Sequence, residues 1–323
     1  MKVESHSKHS ARSGVFAVIP SYNHARFVGD ALRSIFRQTL PPEKLLVIDD
    51  GSRDGSPATI ERLLRDCPFP CEFIARENRG LCQTLNEALE RSEAEFFAYL
   101  GSDDMWLPEF LETRLNTLRA RPTAALAYGH AFIIDGENRI VDQTSNWAKY
   151  ADGDVRGMLL RGGAPMSPTV VYRRAALAEC GWDVRAKLED YQTYLYLSTI
   201  GEFAFDERIL AAWRRHGRNA SGNVAFMIEE TAAAQRRLAA RLGLTPAESA
   251  RAHAALSWTY AEEFARAGDK AQARALALRG VRQAPNIKSV VKMAVRLAFP
   301  ATLDAWRRRR DRRLARRYGT LVV

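Results

Sequence analysis

Nowhere among the 323 residues is there an uninterrupted apolar run near the roughly 20 residues that a bilayer-spanning helix needs. The opening MKVESHSKHSARSG also lacks the apolar core of a signal peptide, and the two absences predict chemistry on the cytoplasmic side. Cysteine is scarce. There are four, at 67, 71, 82 and 180, and Cys67 and Cys71 have no second Cys or His pair nearby to complete a zinc site, so all are expected to be free thiols. A broad basic face is missing too. The net charge of +10 is concentrated in residues 307–317, RRRRDRRLARR, which hold eight arginines and one aspartate and leave the remainder only mildly basic. Nucleic-acid binding by the main domain would call for cations and aromatics spread over a face, and is not expected.

At 46% apolar residues the chain can bury a large core, and its length fits one large α/β domain with an appendage or two ordinary domains. VFAVIP (15–20) reads as a buried strand that stops at a proline, and SYNHARF follows it as a loop. Positions 28, 31, 32, 35 and 36 then recur at helical spacing up to Pro41-Pro42. KLLVI (44–48) repeats the pattern into Asp49-Asp50-Gly51-Ser52 and a helix through Leu64. After CEFIAR and the turn Glu77-Asn78-Arg79-Gly80, a helix around 81–91 leads to FFAYL, a third buried strand, which ends at Gly101-Ser102-Asp103-Asp104. ALAYGHAFII, the turn Asp135-Gly136 and RIVDQ predict a hairpin on the edge of a mixed sheet.

This alternation predicts an α/β sheet over 14–224, behind a flexible 1–13. From about 225 the texture becomes Ala, Glu, Arg and Leu at helical spacing, which predicts a helical appendage over 225–286 with one tetratricopeptide-like hairpin about Gly268-Asp269. Residues 287–323 are expected to form a basic amphipathic tail, with Val290, Val291, Ala294, Leu297 and Ala298 on one helical side and Pro300 as a kink or stop. Such an end suits an anionic membrane surface, and a solvated tail is the alternative.

Polar residues follow the carboxyl end of each strand, where open sheets bind ligands. Asp103-Asp104 alone reads either as a cap on a helix beginning near Pro108 or as a pair able to hold Mg²⁺ or Mn²⁺. The loop from Asp49 to Ser56 alone reads equally as turn chemistry. Their order and spacing change the balance. VIPSYNHARFVGDALRSIFRQT, VIDDGSRDGS, NRGLCQTLNEAL, the Ser102-Asp103-Asp104 triplet, Leu188-Glu189-Asp190 and the segment Trp213 to Ser221 together resemble the family-2 glycosyltransferases over residues 14–221.

That resemblance implies a GT-A (Rossmann-like) mixed sheet flanked by helices and an inverting transferase that takes a nucleoside-diphosphate sugar, UDP being the first candidate, with a divalent cation. It implies that Pro20 and Tyr22 frame the nucleobase, that Asp50 contacts base or ribose, and that Arg79 and Arg214 face the phosphates. Asp103 is placed nearer the ribose but still within the metal set, Asp104 as the firmer metal ligand, and His216 either completing the metal shell or contacting the diphosphate. Asp190 is the implied general base and Glu189 its support, although acids at a helix start also meet the dipole favourably. Met166-Ser167-Pro168-Thr169 is placed near a saccharide or lipid-linked acceptor, and Trp147, Trp182 and Trp213 are read as packing residues. Two rival readings stay open. A nucleotidyltransferase lacks its usual glycine-rich phosphate loop here, and a scaffold with a degenerate transferase domain does not explain intact acidic motifs.

Overall fold

The computed structural model describes residues 13–217, 223–299, 309, 313 and 317–322, with backbone only at 266 and 267. Residues 1–12, the Arg218–Ser221 end of the last motif, Pro300 and most of the arginine run lie outside these.

Strands β1 (Val15–Ser21), β2 (Lys44–Asp50), β3 (Cys71–Arg76) and β4 (Phe96–Tyr99) form a parallel half-sheet in the order β3-β2-β1-β4. The order reverses at β1, so the crevice outside the carboxyl ends of β1 and β4 is the place where such a sheet takes a ligand. Beyond β4 come β8 (Val171–Arg173), β6 (Ala124–Ile134), β9 (Glu202–Arg214) and β5 (Met105–Trp106), with β7 (Ile140–Gln143) paired to β6. The expected hairpin is thus present as β6 and β7.

Period-two alternation divides the core between the two sheet faces. Val15, Ala17, Ile19, Leu45 and Val47 meet Ala31, Leu32 and Ile35 of α1 (Val28–Phe36), Ile60 of α2 (Ser56–Leu64) and Leu115 of α4 (Phe110–Ala120). Phe16, Val18, Leu46 and Ile48 point the other way, toward Leu85 and Leu89 of α3 (Leu81–Glu90) and Tyr191 and Tyr194 of α7 (Glu189–Leu197). CEFIAR, which has no strand pattern of its own, is the edge strand β3. Its residues are only partly buried and two of them are charged, so it carries a weak apolar signal.

The turn after β2 depends on Gly51. Its φ is +81°, and a Cβ there would stand 2.8 Å from the Asn78 backbone nitrogen. Gly51→Ala is therefore expected to cost about 2 kcal/mol or more from the left-handed backbone and the clash together. Thermal denaturation would show it, and an unchanged melting point would contradict this account of the turn.

Two short helices, α5 (Arg156–Leu160) and α6 (Arg174–Ala178), flank the sheet, and α8 (Val224–Leu238), α9 (Pro246–Ala267), α10 (Lys270–Gly280) and α11 (Ile287–Ala298) follow it. Thr245 and Glu248 close a capping box on α9, and Gly268 ends that helix with φ +90° before Asp269 caps α10. These helices brace the sheet domain at α7: Gln235 Nε2 donates to the Tyr191 hydroxyl at 2.9 Å, and Arg237 Nε donates to Gln192 Oε1 at 2.7 Å. The chain's end departs from a wholly peripheral tail. Leu321 N–H donates to the Asn138 carbonyl and Ile140 N–H to the Gly319 carbonyl, so residues 318–322 return to the β6–β7 hairpin.

Candidate active site

The loops after β1 and β2 are tied to each other before any ligand is considered. Asn23 takes a positive φ of 55°, and its N–H donates to Ser52 Oγ at 2.8 Å; the N–H groups of His24 and Ala25 donate to Ser56 Oγ and Asp54 Oδ2. Asp49 accepts from the Ser21 and Ser52 hydroxyls, which joins the ends of the two strands. On this frame Pro20, next to the last residue of β1, is half-buried, and Tyr22, just past the strand, stands 49% exposed.

Asp50 sits at the expected strand end but is already occupied. Its two oxygens accept the consecutive N–H groups of Arg79 and Gly80 at 2.8 Å each, and Arg76 pairs with it. Arg76 also reaches Glu87 and Thr84 on α3. Asp50 therefore shapes the 77–80 turn, and only its remaining lone pairs can face a base or ribose. The Arg79 side chain is exposed at that turn.

The helix-cap reading of Asp103-Asp104 does not hold. The pair is followed by β5, and α4 begins at Phe110 after Glu109 with no side-chain cap. The two carboxylates instead take different partners. Asp103 Oδ2 lies 2.9 Å from His216 Nε2, its Oδ1 lies 3.8 Å from His24 Nδ1, and His24 Nδ1 is 2.8 Å from Ser102 Oγ. The ligand atoms of His24, Asp103 and His216 all lie within 4.8 Å of one another. Burial would raise the Asp103 carboxyl, but the His216 hydrogen bond and the charge of His24 outweigh it and hold the group below its ordinary value.

Asp104 faces inward. Its Oδ1 accepts the Arg214 backbone N–H at 2.8 Å, and burial, reinforced by the charge of Asp103, pushes its carboxyl well above the usual range. This departs from the expected division of labour: Asp103 is the carboxylate that faces the two histidines, and Asp104 secures β9 to the loop. Arg214 needs a similar correction. Its side chain is fully buried, Nε donates to the Asp103 carbonyl at 2.7 Å, Nη1 donates to the Asp135 carbonyl at 3.0 Å, and the guanidinium lies 4.6 Å from the Phe27 ring centre. It supports the acidic loop from behind rather than lining the crevice. Phe27 also stacks on His216 at 5.2 Å, which fixes that imidazole.

Glu189 and Asp190 open α7, so the dipole reading stands beside the chemical one. Burial raises both carboxyls: Asp190 to about 6, and Glu189, with the added charge of Asp190, to about 8. The Tyr99 hydroxyl, on the strand that leads to the acidic loop, donates to Glu189 Oε1 at 3.3 Å. Ser167, in the segment placed near an acceptor, lies close to the Tyr99 hydroxyl. A cleft of about 270 Å³ opens here, with Arg79, Leu81, Cys82, Ala186, Lys187 and Glu189 in its walls. A smaller cavity of about 120 Å³ between α8 and α9, lined by Gln235, Leu244 and His253, has no acidic group.

All four cysteines are free thiols, as expected. Trp182 is buried, whereas Trp147 is 46% exposed and does not serve the core. His24 is the main residue that sequence reading passed over. Its signal was present, a histidine three residues past a buried strand in SYNHARF, but its partners come from distant loops.

The profile of the family described as Glycosyl transferase family 2 matches residues 16–181, just over half of the chain. An uncharacterized glycosyltransferase of Nostoc sp. is 26% identical over 215 residues, 64% of this chain and 66% of that protein. The chondroitin synthase of Escherichia coli is 25% identical over 203 residues, 63% of this chain and 29% of the synthase. The matched segment spans less than two thirds of either relative. Among solved structures, S. aureus TarS 1-349 in complex with UDP-GlcNAc has a TM-score of 0.62 at 16% identity, covering 94% of this chain and 89% of that one. The mannosyltransferase PcManGT from Pyrobaculum calidifontis, in complex with GDP-Man and Mn²⁺, has a TM-score of 0.58 at 17% identity over 93% and 85%. At such identities the likeness is one of fold, and that fold is the GT-A mixed sheet with flanking helices.

Proposed function

The chain belongs to glycosyl transferase family 2, and we propose that it moves a sugar from a nucleoside-diphosphate sugar to a hydroxyl of a saccharide or lipid-linked acceptor, with inversion at the anomeric carbon. The observation that carries this reading is the convergence of His24, Asp103 and His216, from three separate loops, near the point where the strand order reverses. Two imidazoles and one ionised carboxylate form a donor set that fits Mn²⁺ better than Mg²⁺, which prefers oxygen ligands throughout. Bound there, the cation would neutralise the charge of a departing diphosphate. Pro20 and Tyr22 border the nucleobase in this reading, and Arg79 reaches toward the phosphates.

Asp190 serves the acceptor. A carboxylate raised to about 6 is ionised at neutral pH yet more basic than an ordinary aspartate, which suits proton removal. Glu189, raised further by burial and by the Asp190 charge, stays largely protonated at that pH, so the pair carries close to one charge. As the acceptor oxygen bonds to the anomeric carbon, its proton passes to Asp190 and the bond from that carbon to the diphosphate breaks. Attack from the face opposite the leaving group inverts the configuration. The donor class supports a reaction on the cytoplasmic side, and the basic carboxyl-terminal region supports a place at an anionic membrane.

A thermal-shift screen of UDP and GDP with and without Mn²⁺ tests donor binding. A nucleoside diphosphate with Mn²⁺ is expected to raise the melting temperature by about 2–4 °C at saturation, and a chelator should remove most of the gain. If no nucleoside diphosphate moves the transition with any divalent ion, the donor-site reading fails.

A further inference from the structure

Helix α11 has two apolar faces, and only one of them is spent on the fold. Met293 is buried, and Val290 and Leu297 join it against Trp258, Phe264 and Leu276 in the core of the helical region. Ile287, Val291 and Val295, one turn apart, are 74%, 56% and 46% exposed. At 100° per residue Ala294 and Ala298 fall on the same outward side, and both are exposed. The face expected from the sequence is therefore corrected: Val290 and Leu297 turn inward, and the outward stripe runs through Ile287, Val291 and Val295.

We propose that this stripe seats α11 in the headgroup layer of an anionic bilayer. Branched aliphatic side chains repeated turn after turn on an outer face form a contiguous apolar surface that water disfavours. Lys288 and Lys292 are exposed along one edge of the stripe, where their stems follow the apolar surface and their ammonium groups reach outward. Farther along, Arg309, Arg313 and Arg317 are exposed at four-residue intervals, within the segment that holds most of the chain's positive excess. Cations bordering an apolar face match lipid phosphates over acyl chains. No helix among the described residues is long and apolar enough to cross a membrane, and the 12-residue α11 is of a length to lie in the interface. The inference rests on the packing of α11 and not on the transferase reading. Together with that reading, it would hold the enzyme where a lipid-linked acceptor is presented.

Cosedimentation of the full chain with vesicles of phosphatidylcholine alone, and of phosphatidylcholine mixed with phosphatidylglycerol, is the test. The chain is expected to sediment with the mixed vesicles and not with phosphatidylcholine alone. Val291→Glu should weaken vesicle binding by about tenfold or more, and Lys288→Gln with Lys292→Gln by about tenfold. Both variants should melt at the wild-type temperature, because the altered side chains face outward. Wild-type binding by the Val291→Glu variant would overturn the proposal. So would a wild-type dimer that Val291→Glu turns into a monomer without any vesicle binding, since the stripe would then be a contact between copies of the chain. A nucleotide-binding failure would leave this result untouched, which keeps the two claims separable.

Discussion

Asp190→Asn is expected to lower kcat by about 10²–10⁴-fold while leaving the donor KM within a few-fold of wild type, because the carboxylate is needed for proton removal and not for holding the nucleotide. The pH profile supplies an independent signature. The base must be ionised, so wild-type kcat/KM should rise with pH through about 6 and then level off. The same shift acts on stability with the opposite sign. Folding raises both carboxyls, so it favours their protonated forms, and the stability this gives is complete below the ordinary carboxylate range. It is lost as pH rises through about 6 for Asp190 and about 8 for Glu189. The protein gains activity and loses stability over one pH window. Asp190→Asn removes a buried charge, so above pH 7 the variant should melt no lower than wild type even though it is inactive. An inactive variant that also melts far lower would point to a structural role at the start of α7.

Much of the sheet was legible because its central strands are buried on both sides and read as unbroken apolar runs ending in polar loops. Strand β3 was not, since an edge strand with Glu72 and Arg76 in it shows neither a run nor a clean alternation. The division between Asp103 and Asp104 could not be read locally. Two adjacent identical side chains were assigned by the Arg214 N–H, 110 residues away from Asp104, and by His216, 113 residues away from Asp103. His24 had no sequence partner for the same reason: its neighbours exist only once the loops after β1, β4 and β9 meet. Arg214 was expected at the phosphates because a cation near acidic residues has two ways to face, and burial against Phe27 decided it. On α11 the periodicity was correct but both sides are apolar, so only tertiary packing shows which one is outward.

The second large effect separates the two neighbouring aspartates. Asp103→Asn removes the one carboxylate of the His24–Asp103–His216 cluster and should weaken Mn²⁺ binding by about 100-fold or more, with a matching loss of turnover. Asp104→Asn keeps an oxygen to accept the Arg214 N–H and removes a charge that burial already disfavours. Its metal affinity should stay within about threefold of wild type. His216→Ala should resemble the Asp103 variant, because it takes away a ligand that Phe27 holds in place. The most direct measurement is a calorimetric titration of Mn²⁺ into wild type, Asp103→Asn and Asp104→Asn, each with UDP present. Wild type and Asp104→Asn are each expected to bind one tight ion per chain, and Asp103→Asn none. Loss of the ion from Asp104→Asn with retention by Asp103→Asn, or no Mn²⁺ binding by wild type at all, would contradict that expectation.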